Sequence, residues 1–164
     1  MSRIILGIDP GTAITGFGVI CDSGQSVKYL DCGYISTSQD TELSERLLLI
    51  SQSIDKLVRT HRPDLVAVES LFFGKNRTTA IAVAQARGVV LAMLAKHKLT
   101  HVEFTPTEVK QAVTGYGRAG KRQVQAMVKS VLNLEAVPQP DDSADALAVA
   151  ICAAHTRQPV KIKA

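Results

Sequence analysis

Residues 3–11 read Arg-Ile-Ile-Leu-Gly-Ile-Asp-Pro-Gly, an apolar run that ends on Asp9 and stops at the turn pair Pro10-Gly11. Such a run is a buried strand, and it leaves an ionisable carboxyl at its end. Residues 16–21 (Gly-Phe-Gly-Val-Ile-Cys) and 28–35 (Lys-Tyr-Leu-Asp-Cys-Gly-Tyr-Ile) are two further strand candidates, joined through the hairpin signal Asp22-Ser-Gly. The chain therefore opens as an antiparallel meander. Between Thr41 and His61 apolar side chains fall at 43, 47, 50, 54 and 57, the spacing of an amphipathic helix, and Pro63 marks its end. Leu65-Val-Ala-Val-Glu69 follows that helix, is apolar up to its last residue, and reads as a buried parallel strand. A right-handed crossover would lay it beside the first strand, with the two carboxyl ends about 4.8 Å apart. Those ends carry Asp9 and Glu69.

Further along, residues 78–96 are apolar nearly all round, with Gly88 inside, which predicts a helix buried on two sides, against the sheet and against a second subunit. Val102-Glu-Phe is a short strand, Pro106 opens a helix running to Val113, and Gln123–Leu134 is another helix. Pro138 and Pro140 precede a last helix, Asp142–His155, made almost wholly of Ala, Leu, Val and Ile. The expected class is α/β: a five-stranded mixed sheet, three antiparallel strands followed by parallel ones, flanked by helices. Residues 1–157 form one domain, and 158–164 a flexible C-terminal tail.

The 164 residues are 46% hydrophobic, enough for a core without disulfide or metal staples. Cys21, Cys32 and Cys152 are odd in number and widely spaced, which argues against a disulfide framework or zinc site; Cys152 and His155 lie one helical turn apart but supply only two ligands. No run of 18 apolar residues or signal-like opening occurs, so no membrane contact and a cytoplasmic location are expected. The net charge of +4 hides an asymmetry: residues 71–134 hold 10 basic and 2 acidic side chains, a segment suited to a polyanion. Aromatics make up only 4%, with no Trp, which argues against a base-stacking platform.

Two carboxylates at adjacent buried strand ends repel and are costly to desolvate. Divalent metal offsets that cost, and two ions shared by bridging carboxylates can act on a phosphodiester. Asp142 and Asp145, three residues apart on the last helix, would bring four carboxylates from three elements together. Taken singly, each has a structural explanation: Asp9 as a turn residue, Glu69 as a loop residue beyond a strand, Asp142 as a helix N-cap. Asp145 lies beyond capping reach, and an otherwise apolar helix has no need of it.

Gly7-Ile-Asp-Pro-Gly-Thr, Gln85-Ala-Arg-Gly, Val109-Lys-Gln-Ala-Val-Thr-Gly, Val124-Gln-Ala-Met-Val and Ser143-Ala-Asp-Ala-Leu-Ala together resemble the bacterial RuvC family of Holliday junction resolvases, over essentially the whole chain. The resemblance implies a ribonuclease H-like fold, a homodimer, and metal-dependent symmetric nicking of two opposing strands of four-way junction DNA. Mg²⁺ is the implied cofactor, one or two ions per subunit with Mn²⁺ as substitute, and RuvA and RuvB the implied branch-migration partners. It assigns Asp9, Glu69, Asp142 and Asp145 as catalytic metal ligands. Asp141 is a second acid beside Asp142: on a helix it sits about 40° from Asp145 and Asp142 about 60°, so geometry does not choose between them, while spacing from the motif favours Asp142. Lys110 and Lys121 match basic family positions suited to phosphate, and Phe72 an aromatic that engages bases near the crossover. Lys75, Arg77, Arg118 and Arg122 are expected DNA contacts beside them.

Gly115-Tyr-Gly-Arg-Ala-Gly-Lys121 satisfies a dinucleotide fingerprint and most of a Walker A loop, but both need a strand immediately before the loop. Residues 108–114 read as a helix, and Arg122 stands where Ser or Thr should bind Mg²⁺. Asp9-Pro-Gly-Thr also resembles the first phosphate loop of actin-like ATPases, which need two domains. The remaining rivals are another ribonuclease H-like nuclease and a junction-binding module that does not cut; the latter would not need the carboxylates.

Overall fold

A computed structural model describes residues 2–70 and 77–156; the tail 158–164 lies outside them, as do Phe72 and Lys75. Strands β1 (Arg3–Asp9), β2 (Ile14–Asp22) and β3 (Val27–Ser36) form the meander, followed by α1 (Leu43–His61), β4 (Leu65–Glu69), α2 (Arg77–Lys96), β5 (His101–Phe104), α3 (Pro106–Thr114), α4 (Lys121–Val131) and α5 (Asp141–His155). The sheet order is β3-β2-β1-β4-β5. β1 pairs antiparallel with β2 and parallel with β4, and β4 pairs parallel with β5. The five-stranded mixed sheet read from the sequence is the one observed.

Strand alternation decides which way each side chain points. On one face Leu6, Ile8, Val19, Val66 and Val68 pack with Ile50, Ile54 and Val58 of α1 and with Val90 and Leu94 of α2. On the other, Ile5, Ile20, Leu65 and Ala67 pack with α3, α4 and α5. Asp9 has the parity of Ile5, and Glu69 that of Leu65 and Ala67. Both acids therefore belong to the face covered by α5.

That face is lined with glycine where α5 crosses it. Gly7 opposes Gly18, and Asp9 opposes Gly16, across the β1–β2 ladder. A Cβ on Gly7 would lie 2.1 Å from the Ala146 carbonyl oxygen, and one on Gly16 2.1 Å from that of Asp142. The helix backbone thus rests directly on the sheet, and its first turn is brought to the end of β1. Ala146, Leu147 and Ala150 are completely buried there.

Several boundaries differ from the sequence reading. α1 begins at Leu43 rather than Thr41. α4 runs from Lys121 to Val131 instead of 123–134: the Gln123 side chain accepts the Gly120 N–H at 2.8 Å, which starts the helix early, and Asn133 at φ 51° ends it. α5 starts at Asp141 with Pro140 as its N-cap, so Asp142 is not the cap. α2 buries Ala86, Val90, Met93 and Leu94 within the chain, while the side read as meeting a second subunit, with Ile81, Gln85, Gly88 and Ala92, is exposed in the single chain. No helix among the described residues is long and apolar enough to cross a membrane.

Candidate functional site

The ladder pair Ile8–Val68 puts Asp9 and Glu69 one residue further on, at the adjacent carboxyl ends of β1 and β4. Burial, then the charges of Glu69, Asp145 and Asp142, push the Asp9 carboxyl up to about 8. Glu69 is the acid whose charge bears most on Asp9. Its own carboxyl is raised, mainly by burial and also by Asp145, against the opposing pull of Lys110. Burial also raises Asp145, although Lys121 partly offsets it. These carboxylates form an electrostatically crowded group.

A cleft of about 210 Å³ opens onto it, lined by Glu69, Pro106, Val109, Lys110, Lys121, Val124, Asp145 and Ala148. Its lining combines apolar side chains with two acids and two lysines. Lys110 is placed by α3, whose N-terminus is closed by a capping box: Glu108 N–H donates to Thr105 Oγ1 (3.3 Å), and the Glu108 carboxylate accepts the Thr105 N–H (2.7 Å). Lys121 is the first residue of α4, with its ammonium 3.4 Å from Asp145 and 3.2 Å from Asp141.

The two neighbouring acids at the start of α5 have different surroundings. Asp142 contributes to the field at Asp9. Asp141 is turned to α4, where it accepts from Lys121 and from Gln125 Nε2 at 2.9 Å. These partners hold its carboxyl below the ordinary range. No three His, Cys, Asp or Glu side chains among the described residues are gathered tightly enough to hold one metal ion as they stand. The donor chemistry nevertheless suits a hard divalent cation: all the candidate ligands are carboxylate oxygens, and burial and neighbouring acids disfavour the charged forms of Asp9, Glu69 and Asp145.

Of the remaining residues singled out from the sequence, Arg118 and Arg122 are exposed on the α3–α4 turn and the start of α4. Arg77 begins α2, and its side chain lies outside what the structure describes. The glycine-rich stretch 115–120 joins two helices: Gly115 caps α3 with φ 75° and Gly120 precedes α4, so the strand a nucleotide loop requires is missing. Cys152 is buried and donates weakly to the Glu108 carbonyl oxygen (3.8 Å), and His155 lies 3.3 Å from the Ala112 carbonyl oxygen, which are packing roles. The sequence reading missed Gly16 and Gln125. The repeated glycines of 7, 16 and 18 were a legible signal for close helix approach; nothing local pointed to Gln125.

The family profile described as "Crossover junction endodeoxyribonuclease RuvC" matches residues 5–153. A RuvC from Alkaliphilus metalliredigens is 52% identical over 153 residues, covering 93% of each chain, and one from Desulfitobacterium hafniense is likewise 52% identical over 153. Among solved structures, Thermus thermophilus RuvC superposes with a TM-score of 0.86 at 34% identity, covering 93% of both chains. The same protein in complex with Holliday junction substrate gives 0.84 at 31% identity and the same coverage. A yeast mitochondrial Holliday junction resolvase shares the fold at 14% identity, with a TM-score of 0.67 over 92% of this chain and 78% of its own.

Proposed function

Because the chain belongs to the RuvC family of crossover junction endodeoxyribonucleases, a family of metal-dependent nucleases that resolve Holliday junctions, we propose that Asp9, Glu69, Asp142 and Asp145 are its catalytic metal ligands and Mg²⁺ the metal. The observation that carries this reading is the crowding at the ends of β1 and β4: an Asp9 carboxyl raised to about 8 by burial and by three other acids is an arrangement that a divalent cation relieves. When bound, the ion supplies Lewis acidity at the scissile phosphate and makes its water more acidic. The chain's own groups do the rest. Glu69 and Asp9 hold the strand-end side of the site, Asp142 and Asp145 the helix side. Asp145, which contacts Lys121 at 3.4 Å, would be one of the residues holding the ion. Lys110 and Lys121, on the rim of the cleft, neutralise phosphate oxygens of the bound strand. Arg118 and Arg122, with Phe72, Lys75 and Arg77, extend the DNA contact.

A four-way junction with two equivalent scissile strands calls for two sites related by a twofold axis. The open stripe of α2, Ile81, Gln85, Gly88 and Ala92, supports a homodimer through this helix. A Cβ on Gly88 would meet nothing within 4 Å in the isolated chain, so the surface there is free for close helix contact. RuvA and RuvB are the proposed suppliers of the junction, and the cytoplasm the proposed compartment.

The test is nicking of a synthetic four-way junction. Paired, ligatable nicks in opposing strands with Mg²⁺, lost in EDTA and in Asp9→Asn, are expected. Substantial cutting by Asp9→Asn at saturating Mg²⁺ would remove that residue from the metal site. Paired Asp141→Asn and Asp142→Asn variants test the ligand assignment, with only the second expected to lose metal-dependent cutting altogether.

A further inference from the structure

Asp141 is left without a task by the four-ligand reading, yet it is the best-tied carboxylate on α5. Its partners, Lys121 and Gln125, are four residues apart on α4 and so share one face of that helix. Lys121 meanwhile reaches Asp145, a proposed ligand, at 3.4 Å. One carboxylate thus grips α4 at two successive turns, and one of those grips ends on the ammonium that rims the cleft.

We propose that Asp141 is a positioning residue: through Lys121 and Gln125 it locks the start of α4 to the start of α5 and holds the Lys121 ammonium at the mouth of the site. The inference rests on the reading of Lys121 as a phosphate-facing group. A lysine carries three donors on a flexible four-carbon stem and loses considerable rotamer freedom when fixed. At the exposed end of a helix preceded by glycine, little else would fix it. Gln125 is the second fastener, because it orients the Asp141 carboxylate without being charged itself. The contact to Asp141 is separate from the one to Asp145, so the ammonium would keep an anchor if Asp145 were engaged by metal. Asp141 accordingly touches neither metal nor DNA and acts only through Lys121.

The experiment is a double-mutant cycle on the full chain, read by single-turnover nicking at saturating junction and Mg²⁺, with junction affinity and thermal midpoint measured alongside. Asp141→Asn is expected to lower turnover on the order of ten- to a hundredfold, with junction affinity and metal requirement unchanged. Asp141→Glu should recover part of the loss, and Asp141→Asn should cost little when added to Lys121→Ala. Gln125→Ala, which leaves all acids and lysines in place, should give a smaller loss in the same direction. Wild-type turnover in Asp141→Asn overturns the proposal. So does an undiminished further loss on the Lys121→Ala background, which leaves the reading of Lys121 standing. Full activity of Lys121→Ala alone removes that reading itself. Loss of all cutting by Asp141→Asn beside an active Asp142→Asn would make Asp141 a ligand and refute the proposal in a third, separate way.

Discussion

Asp9 at the end of β1 and Asp55 in the middle of α1 both sit among charged groups, with opposite results. Asp9 is surrounded by Glu69, Asp145 and Asp142, and its carboxyl is pushed up to about 8, chiefly by burial. Asp55 is met by Arg59 Nε at 2.5 Å, His97 Nε2 at 2.9 Å and Lys96 Nζ at 3.3 Å, and its carboxyl is held far below the ordinary range, chiefly by the Arg59 contact. The second cluster is complete within the chain and ties the C-terminal halves of α1 and α2 together. The first is not, because Lys110 and Lys121 offset only part of its charge. An acid cluster that is left uncompensated inside a folded chain points to a cation from outside; one that is compensated is structural.

The comparison breaks most decisively in activity. Asp9→Asn should lower junction nicking by at least the order of 10²–10³-fold with junction binding retained, whereas Asp55→Asn should cut at the wild-type rate. Equal losses in the two variants, measured on the same gel, would void the distinction. Gly16→Ala sharpens it by moving the helix: the new Cβ would meet the Asp142 carbonyl oxygen at 2.1 Å, costing about 1–3 kcal/mol of stability and pulling Asp142 away from β1. Denaturant unfolding and nicking should both report that change.

A third outcome concerns metal alone. Mg²⁺ at a hundredfold excess over its Kd should raise unfolding free energy by about 2.7 kcal/mol in the wild type and in Asp55→Asn, and much less in Asp9→Asn; differential scanning calorimetry with and without chelator reads this directly. The pH dependence of stability should also have opposite signs. Asp9 has a raised folded value, so in chelator its contribution is full below the ordinary 3.8 and is lost as pH rises through about 8. Asp55 has a lowered one, so its contribution is present above 3.8 and is lost as pH falls below it. Thermal midpoints of the two Asn variants against wild type, from pH 3 to 9, separate the slopes. The smallest effect is expected at Lys110→Ala, which should flatten the salt dependence of junction binding by about one phosphate contact, while loss of Lys96 should leave that slope unchanged.

Much of the arrangement was legible locally. The apolar run ending at Asp9, its partner ending at Glu69 and the 4-3-4-3 spacing over residues 43–57 place two acids at neighbouring strand ends, because period-2 and period-3.6 patterns are written in adjacent residues. Helix ends were less legible: α4 starts at Lys121 because the Gln123 side chain accepts the Gly120 N–H, an event no hydrophobic pattern records. The second face of α2, read from the sequence as meeting another subunit, is open in the single chain. Its apolar residues continue round the helix, and hydrophobicity alone does not say which neighbour covers them.

Local patterning alone accounts for the order and type of the elements, the parity that turns Asp9 and Glu69 to one face, and the Asp-x-x-Asp step on the last helix. Each follows from backbone geometry within a few residues. How near α5 comes to the sheet, and which of two adjacent acids looks toward Asp9, came from long-range packing. Those outcomes depend on Gly7, Gly16 and Gly18 meeting a helix more than 120 residues away, and on Asp141 meeting Lys121 and Gln125, 20 and 16 positions earlier. Close packing between distant segments selects among side chains that local periodicity leaves equivalent.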